Sequence, residues 1–101
     1  MSLNTEGVNR SSFERMIILQ KLLNMWTTDR KNSKYILLLF ILYYETLEKT
    51  YGKFKLNLWF KNNERFIIYD ILNKAESYPD INSELSTNYE GCKKLFKSLH
   101  S

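Results

Sequence analysis

One stretch of the chain is unlike any other in its apolar pattern. Residues 35–44, Tyr-Ile-Leu-Leu-Leu-Phe-Ile-Leu-Tyr-Tyr, contain no charged or amide side chain. Thr46-Leu47-Glu48-Lys49 continue a helix-favouring pattern as far as Tyr51 and Gly52. Asn32 or Ser33 can cap the start by accepting a backbone N–H of the first turn, and Gly52 can adopt the left-handed conformation that ends a helix. The first half is apolar on all sides and has to be surrounded by other elements. A membrane-spanning helix needs about 20 consecutive apolar residues, and this run holds ten. The pattern predicts a central buried helix, with Leu38, Leu39 and Leu42 in the core.

Ahead of this run, Ser11 and Glu14 have the spacing of a capping box, in which hydroxyl and carboxylate each satisfy an orphan backbone donor. Met16, Leu19, Leu22, Leu23 and Trp26 then fall on one helical face, widened by Ile18 and Met25, while Glu14, Gln20, Lys21 and Asn24 take the other. This predicts an amphipathic helix over 12–27. The polar connection at 27–31 is short enough to make the first two helices antiparallel neighbours. Residues 1–10 are polar and without periodicity, which reads as a flexible leader before a single domain over 11–101.

The segment after Gly52 has two readings. Phe54, Leu56, Leu58 and Phe60 alternate with Lys53, Lys55, Asn57, Trp59 and Lys61, a strand signal. Asn62-Asn63 could then turn a hairpin over about 53–71, with Lys61 opposite Glu64, Lys55 opposite Asp70 and Trp59 opposite Phe66. In the helical reading Asn63 caps a helix over 64–77, on which Ile67, Ile68, Ile71, Leu72 and Ala75 form one stripe. Tyr78-Pro79 stops that helix, and Asn73-Lys74-Ala75-Glu76 favours it over a strand. Beyond it, Ile81 and Leu85 suit a single helical turn. Thr87 and Glu90 repeat the capping-box spacing, and Cys92, Leu95, Phe96 and Leu99 make a buried face opposite Lys93, Lys94 and Lys97. The fold class expected is mainly α, four or five helices around the central one, with an α+β fold containing the hairpin as the alternative.

Composition narrows the chemistry. At 101 residues, 44% of them hydrophobic and 15% aromatic, the chain is one globular domain and not a disordered one. A net charge of +4 is compatible with an anionic partner but is far from a polybasic arm. A single cysteine, Cys92, excludes an intrachain disulfide, and the N-terminus carries no apolar signal region. Both point to an intracellular protein, cytoplasmic or nuclear. Cys92 and His100 are each the sole residue of their type. Eight positions apart on one helix they are separated by about 12 Å of rise, too far for a nucleophile and its base. They also cannot make a standard structural zinc site, and the three glycines are scattered, not gathered into a phosphate loop. Glu45 and Glu48 share a face that could hold a metal or a cationic partner, but they read more simply as the solvated end of the central helix. The expectation is a non-enzymatic protein without catalytic residues, metal, cofactor, small-molecule ligand or membrane partner.

Two binding readings follow. The order of a helix over 64–77, a short turn at 80–85 and a capped basic helix over 87–99 is that of a helix-turn-helix module. In it Tyr89, Lys93, Lys94 and Lys97 would face the major groove and phosphates. This spacing, and Phe54-Lys55-Leu56-Asn57 leading into Glu64-Arg65-Phe66-Ile67-Ile68, resembles winged-helix regulators of the multiple-antibiotic-resistance repressor kind, although the sequence stops where the wing would begin. The resemblance implies a small regulatory protein that binds nucleic acid. The alternative is a helical protein-interaction or dimerisation module using surplus aromatics, with Tyr44 and Trp59 as interface residues, because Tyr and Trp are enriched at interfaces.

Overall fold

The computed structural model describes residues 10–100. Six helices and no strand are found among them: α1 (Arg10–Thr28), α2 (Ser33–Tyr51), α3 (Lys53–Asn57), α4 (Asn62–Ala75), α5 (Ile81–Thr87) and α6 (Tyr89–Leu99). The mainly α expectation holds, and the hairpin does not. The leader expected over residues 1–10 lies, apart from Arg10, outside the described residues, as does Ser101.

The apolar run becomes α2, and every other helix packs against it. Ile36 through Ile41 are all buried, as are Tyr44 and Leu47, so the side that would face water in a surface helix is covered too. Leu42 is the exception to the expected core, at 37% exposed. The α1–α2 connection is tied by Asp29, whose carboxylate accepts from the Asn32 backbone N–H at 3.2 Å and from its side-chain amide at 2.9 Å. Asn32 is the N-cap residue of α2, but its side chain does not cap the helix. Gly52 ends α2 at φ 84° and ψ 153° and begins α3 in the same residue. Side chains with a Cβ avoid that region of the backbone map.

The alternating segment folds as helix because its backbone groups find local partners. The Leu56 N–H reaches the Gly52 carbonyl at 3.0 Å, and that of Leu58 reaches Phe54 at 3.2 Å. Glu64 reaches back to accept from the Lys61 N–H at 2.8 Å, so α4 begins at Asn62 with Lys61, not Asn63, as its N-cap. Residues two apart on a helix point to nearly opposite sides. The alternating apolar set is therefore divided, with Leu56 and Phe60 buried and Phe54 and Leu58 exposed. α4 buries Ile68 and Ile71 and half-buries Ile67, Leu72 and Ala75, the expected stripe. It is joined to α1 through Asp70, which accepts from Trp26 Nε1 at 3.0 Å and pairs with Lys74 at 2.7 Å. The bond from Lys74, then that from Trp26, holds the Asp70 carboxyl below the usual carboxylate range.

Candidate functional site

The C-terminal pair is positioned by three devices. Asp80 caps α5, accepting from the Ser83 N–H at 3.1 Å, and Glu84 on that helix pairs with Lys34 at the start of α2, at 3.3 Å. Thr87 belongs to α5 and does not cap α6; Asn88 alone separates the two helices, its side chain donating back to the Glu84 carbonyl at 2.7 Å. α6 then buries Cys92, Leu95 and Leu99 against α2. The third device is Gly91, where any Cβ would collide with the Tyr35 ring. Its lack of a side chain lets α6 lie this close to α2, a role that nothing in its sequence neighbourhood signals. At the far end, Lys21 of α1 donates to the Leu99 carbonyl at 2.7 Å, placing a cation where the last carbonyls of α6 point.

The four residues expected to read nucleic acid are all exposed, Tyr89 at 57%. No ion pair of Lys93, Lys94 or Lys97 occurs among the described residues. By helical position they spread over the arc of α6 turned away from the buried Cys92, Leu95 and Leu99. Tyr89 and Lys93 lie together, the ammonium 5.6 Å from the ring centroid. Both border a groove of about 340 Å³ between α2, α5 and α6, lined mainly by Leu39, Leu42, Tyr43, Leu85 and Phe96. Lys94, about 100° further round α6, lines a different cleft of about 590 Å³ shared with Asp29 and Glu90. Lys97 borders neither.

The two expected interface aromatics differ in exposure. Tyr44 is 2% exposed, stacked on Phe40 with centroids 5.6 Å apart, and its hydroxyl donates to Asn57 Oδ1 at 3.0 Å. It is a core residue and has no face to offer a partner. Trp59 is half-buried against Tyr51, with ring centroids 5.2 Å apart. The large apolar side chains that do reach solvent include Phe54, Leu58, Phe66, Tyr69 and Tyr89. Of these, only Tyr89 stood out as a surface residue in the sequence. Alternation was the available signal for Phe54 and Leu58, but it carries no information on which half is covered once the segment is helical.

Cys92 forms part of the groove floor, and burial pushes its thiol up against a smaller opposing influence of Lys34. His100 lies against Phe96, ring centroids 4.4 Å apart. Among the described residues no three His, Cys, Asp or Glu side chains gather as a metal site, and no helix is long and apolar enough to cross a membrane. What the arrangement offers is shaped surface: an apolar groove edged by a cation, a mixed-charge cleft and a set of exposed aromatics. Comparison with known families, with curated proteins and with solved structures gives no match.

Proposed function

We propose that the domain is a non-enzymatic binding module that seats an acidic, amphipathic protein segment in the groove between α2, α5 and α6. The observation that carries this reading is the lining: apolar and aromatic side chains along the floor and walls, with the Lys93 ammonium and the Tyr89 ring at the rim. A groove of this kind suits apolar anchors spaced along a helix, and a cationic rim favours carboxylates beside those anchors. The volume lies at the small end of ligand sites, enough for a few partner side chains. Leu42 fits the same role, since it is the α2 leucine left open to solvent in the apolar run and it lines the groove.

The test uses a synthetic helical peptide of alternating leucine and glutamate faces, and its lysine counterpart, followed by fluorescence anisotropy. The acidic peptide should bind and the basic one should not. Leu42→Asp should weaken binding at least about tenfold, the effect of about 1.4 kcal/mol, in a variant that circular dichroism shows to remain folded. Absence of acidic-peptide binding at low salt would sink this reading.

A second reading has its own support in the exposed Lys93, Lys94 and Lys97, which make no ion pair among the described residues, and in the α4–α5–α6 order: contact with nucleic acid along α6. Replacing the three lysines with Gln should then weaken duplex DNA binding for all sequences alike. It should also flatten the dependence of log affinity on log salt by up to about 0.9 per lost contact. Leu42→Asp separates the two, because it disables the groove and leaves the lysines in place.

A further inference from the structure

We infer that the α3 corner is a docking site for an anionic lipid surface, independent of the groove. The corner follows from the alternating pattern folded as helix. Leu56 and Phe60 are buried on one side, which leaves Phe54 at 79% and Leu58 at 56% exposed on the other, one helical turn apart. Lys53 and Lys55 sit on either flank of that pair by helical position, and both are exposed.

Between Glu48 and Glu64 the chain carries one sign of charge. Residues 49–63 contain four lysines, Lys49, Lys53, Lys55 and Lys61, and no carboxylate. Glu64, the next acidic residue, is turned onto the Lys61 backbone N–H. Lys53 also borders a shallow cleft with Asp70 and Glu76, but Asp70 is already engaged by Lys74 and Trp26.

Shape selects among anionic partners. Among the described residues, neither Phe54 nor Leu58 lines any of the five main clefts, and both are largely exposed. A peptide helix needs a groove to bury its anchors. A bilayer surface needs the reverse, protruding apolar side chains that enter the boundary between headgroup and acyl chain, with lysines at headgroup level. Lysine stems can lie along the apolar side chains while the ammonium groups stay among the phosphates. A second copy of the chain fits poorly, because a two-fold contact would set like charges against each other. Trp59, half-buried on Tyr51 beside Leu58, would lie at the level where amphipathic aromatics sit in membranes. No spanning segment is needed for such a contact.

The experiment is co-sedimentation of the full chain with vesicles of phosphatidylcholine alone and of phosphatidylcholine with phosphatidylserine, at low and at raised salt. Binding should require the anionic lipid and weaken as salt rises. Lys53→Gln, Lys55→Gln and Lys61→Gln together should lower partitioning about 100-fold, at about 1 kcal/mol per lysine. Phe54→Ser with Leu58→Ser should lower it at least about tenfold. Both variants should melt like the unaltered protein, since every substituted side chain is exposed, and both should retain acidic-peptide binding in the α2–α5–α6 groove. No binding to anionic vesicles at low salt would overturn the inference. So would binding that survives both α3 variants but is lost on replacing Lys93, Lys94 and Lys97. Loss of acidic-peptide binding on Phe54→Ser, with vesicles never bound, would assign the corner to a protein partner instead.

Discussion

Tyr44 illustrates what a single residue type leaves open. By composition it is an interface candidate, one of seven tyrosines in a small chain. In the fold it is nearly sealed, and burial pushes its hydroxyl up to about 12, with the charges of Glu48 and Tyr69 adding to the rise and the Asn57 hydrogen bond opposing it. The sign of the linkage follows directly. Below the ordinary tyrosine value of 10.0 the hydroxyl is protonated in both folded and unfolded chains and contributes no pH dependence. Above it the unfolded chain ionises first, so stability falls as pH rises from about 10 towards about 12. Burial also raises the hydroxyl of Tyr43, which adds to the same alkaline loss. Tyr44→Phe should therefore flatten the decline of melting temperature between pH 10 and 12. At neutral pH it should cost about 0.5–1.5 kcal/mol, the worth of one hydrogen bond. An unchanged alkaline slope in the variant would mean that Tyr44 does not control it.

At the scale of elements, α2 and α3 follow opposite logic. α2 is uniformly apolar, so its burial is required before its neighbours are known, and only the degree at each position is left to packing. Leu38 is fully buried and Leu42 is not. Leu38→Ala should cost about 2–5 kcal/mol, as expected for a core cavity. Leu42→Ala should cost about 1 kcal/mol or less. Chemical denaturation of the two variants checks this, and equal losses would show that Leu42 is part of the core after all. In α3 the apolar residues alternate, a pattern that matches a half-buried strand. A helix of the same sequence cannot bury all four, and the pair it leaves outside is the corner to which lipid docking is assigned.

For the whole molecule the consequence is a hub: five helices contact a central one, and α6 is held at both ends by other parts of the chain. Cys92 sits in the seam between α6 and α2, 5% exposed. Its raised thiol pKa leaves little thiolate at neutral pH. Labelling by a thiol reagent should be slow in the folded state, and its denaturant midpoint should coincide with that of the circular dichroism signal. Rapid labelling at neutral pH, without loss of helicity, would mean that α6 separates from α2 while the remainder stays folded.

The sequence by itself determined the central helix, because ten consecutive apolar side chains have a large transfer free energy whatever surrounds them. It also determined the amphipathic faces of α1, α4 and α6, where the helical period selects the buried side without reference to a partner. The capping residues were less legible. Ser11 lies inside α1, and Thr87 and Asn63 lie inside helices instead of before them, since a cap needs local backbone geometry that neighbouring packing can shift by a residue or two. The tertiary structure alone decided three things: which half of the alternating segment is covered, that Tyr44 faces inward, and that Tyr89 and Lys93 border one groove and Lys94 another. Each depends on where a second helix lies against the first. That placement is set by contacts between residues far apart in the chain, such as Gly91 on Tyr35 and Lys21 on Leu99, which no local pattern encodes.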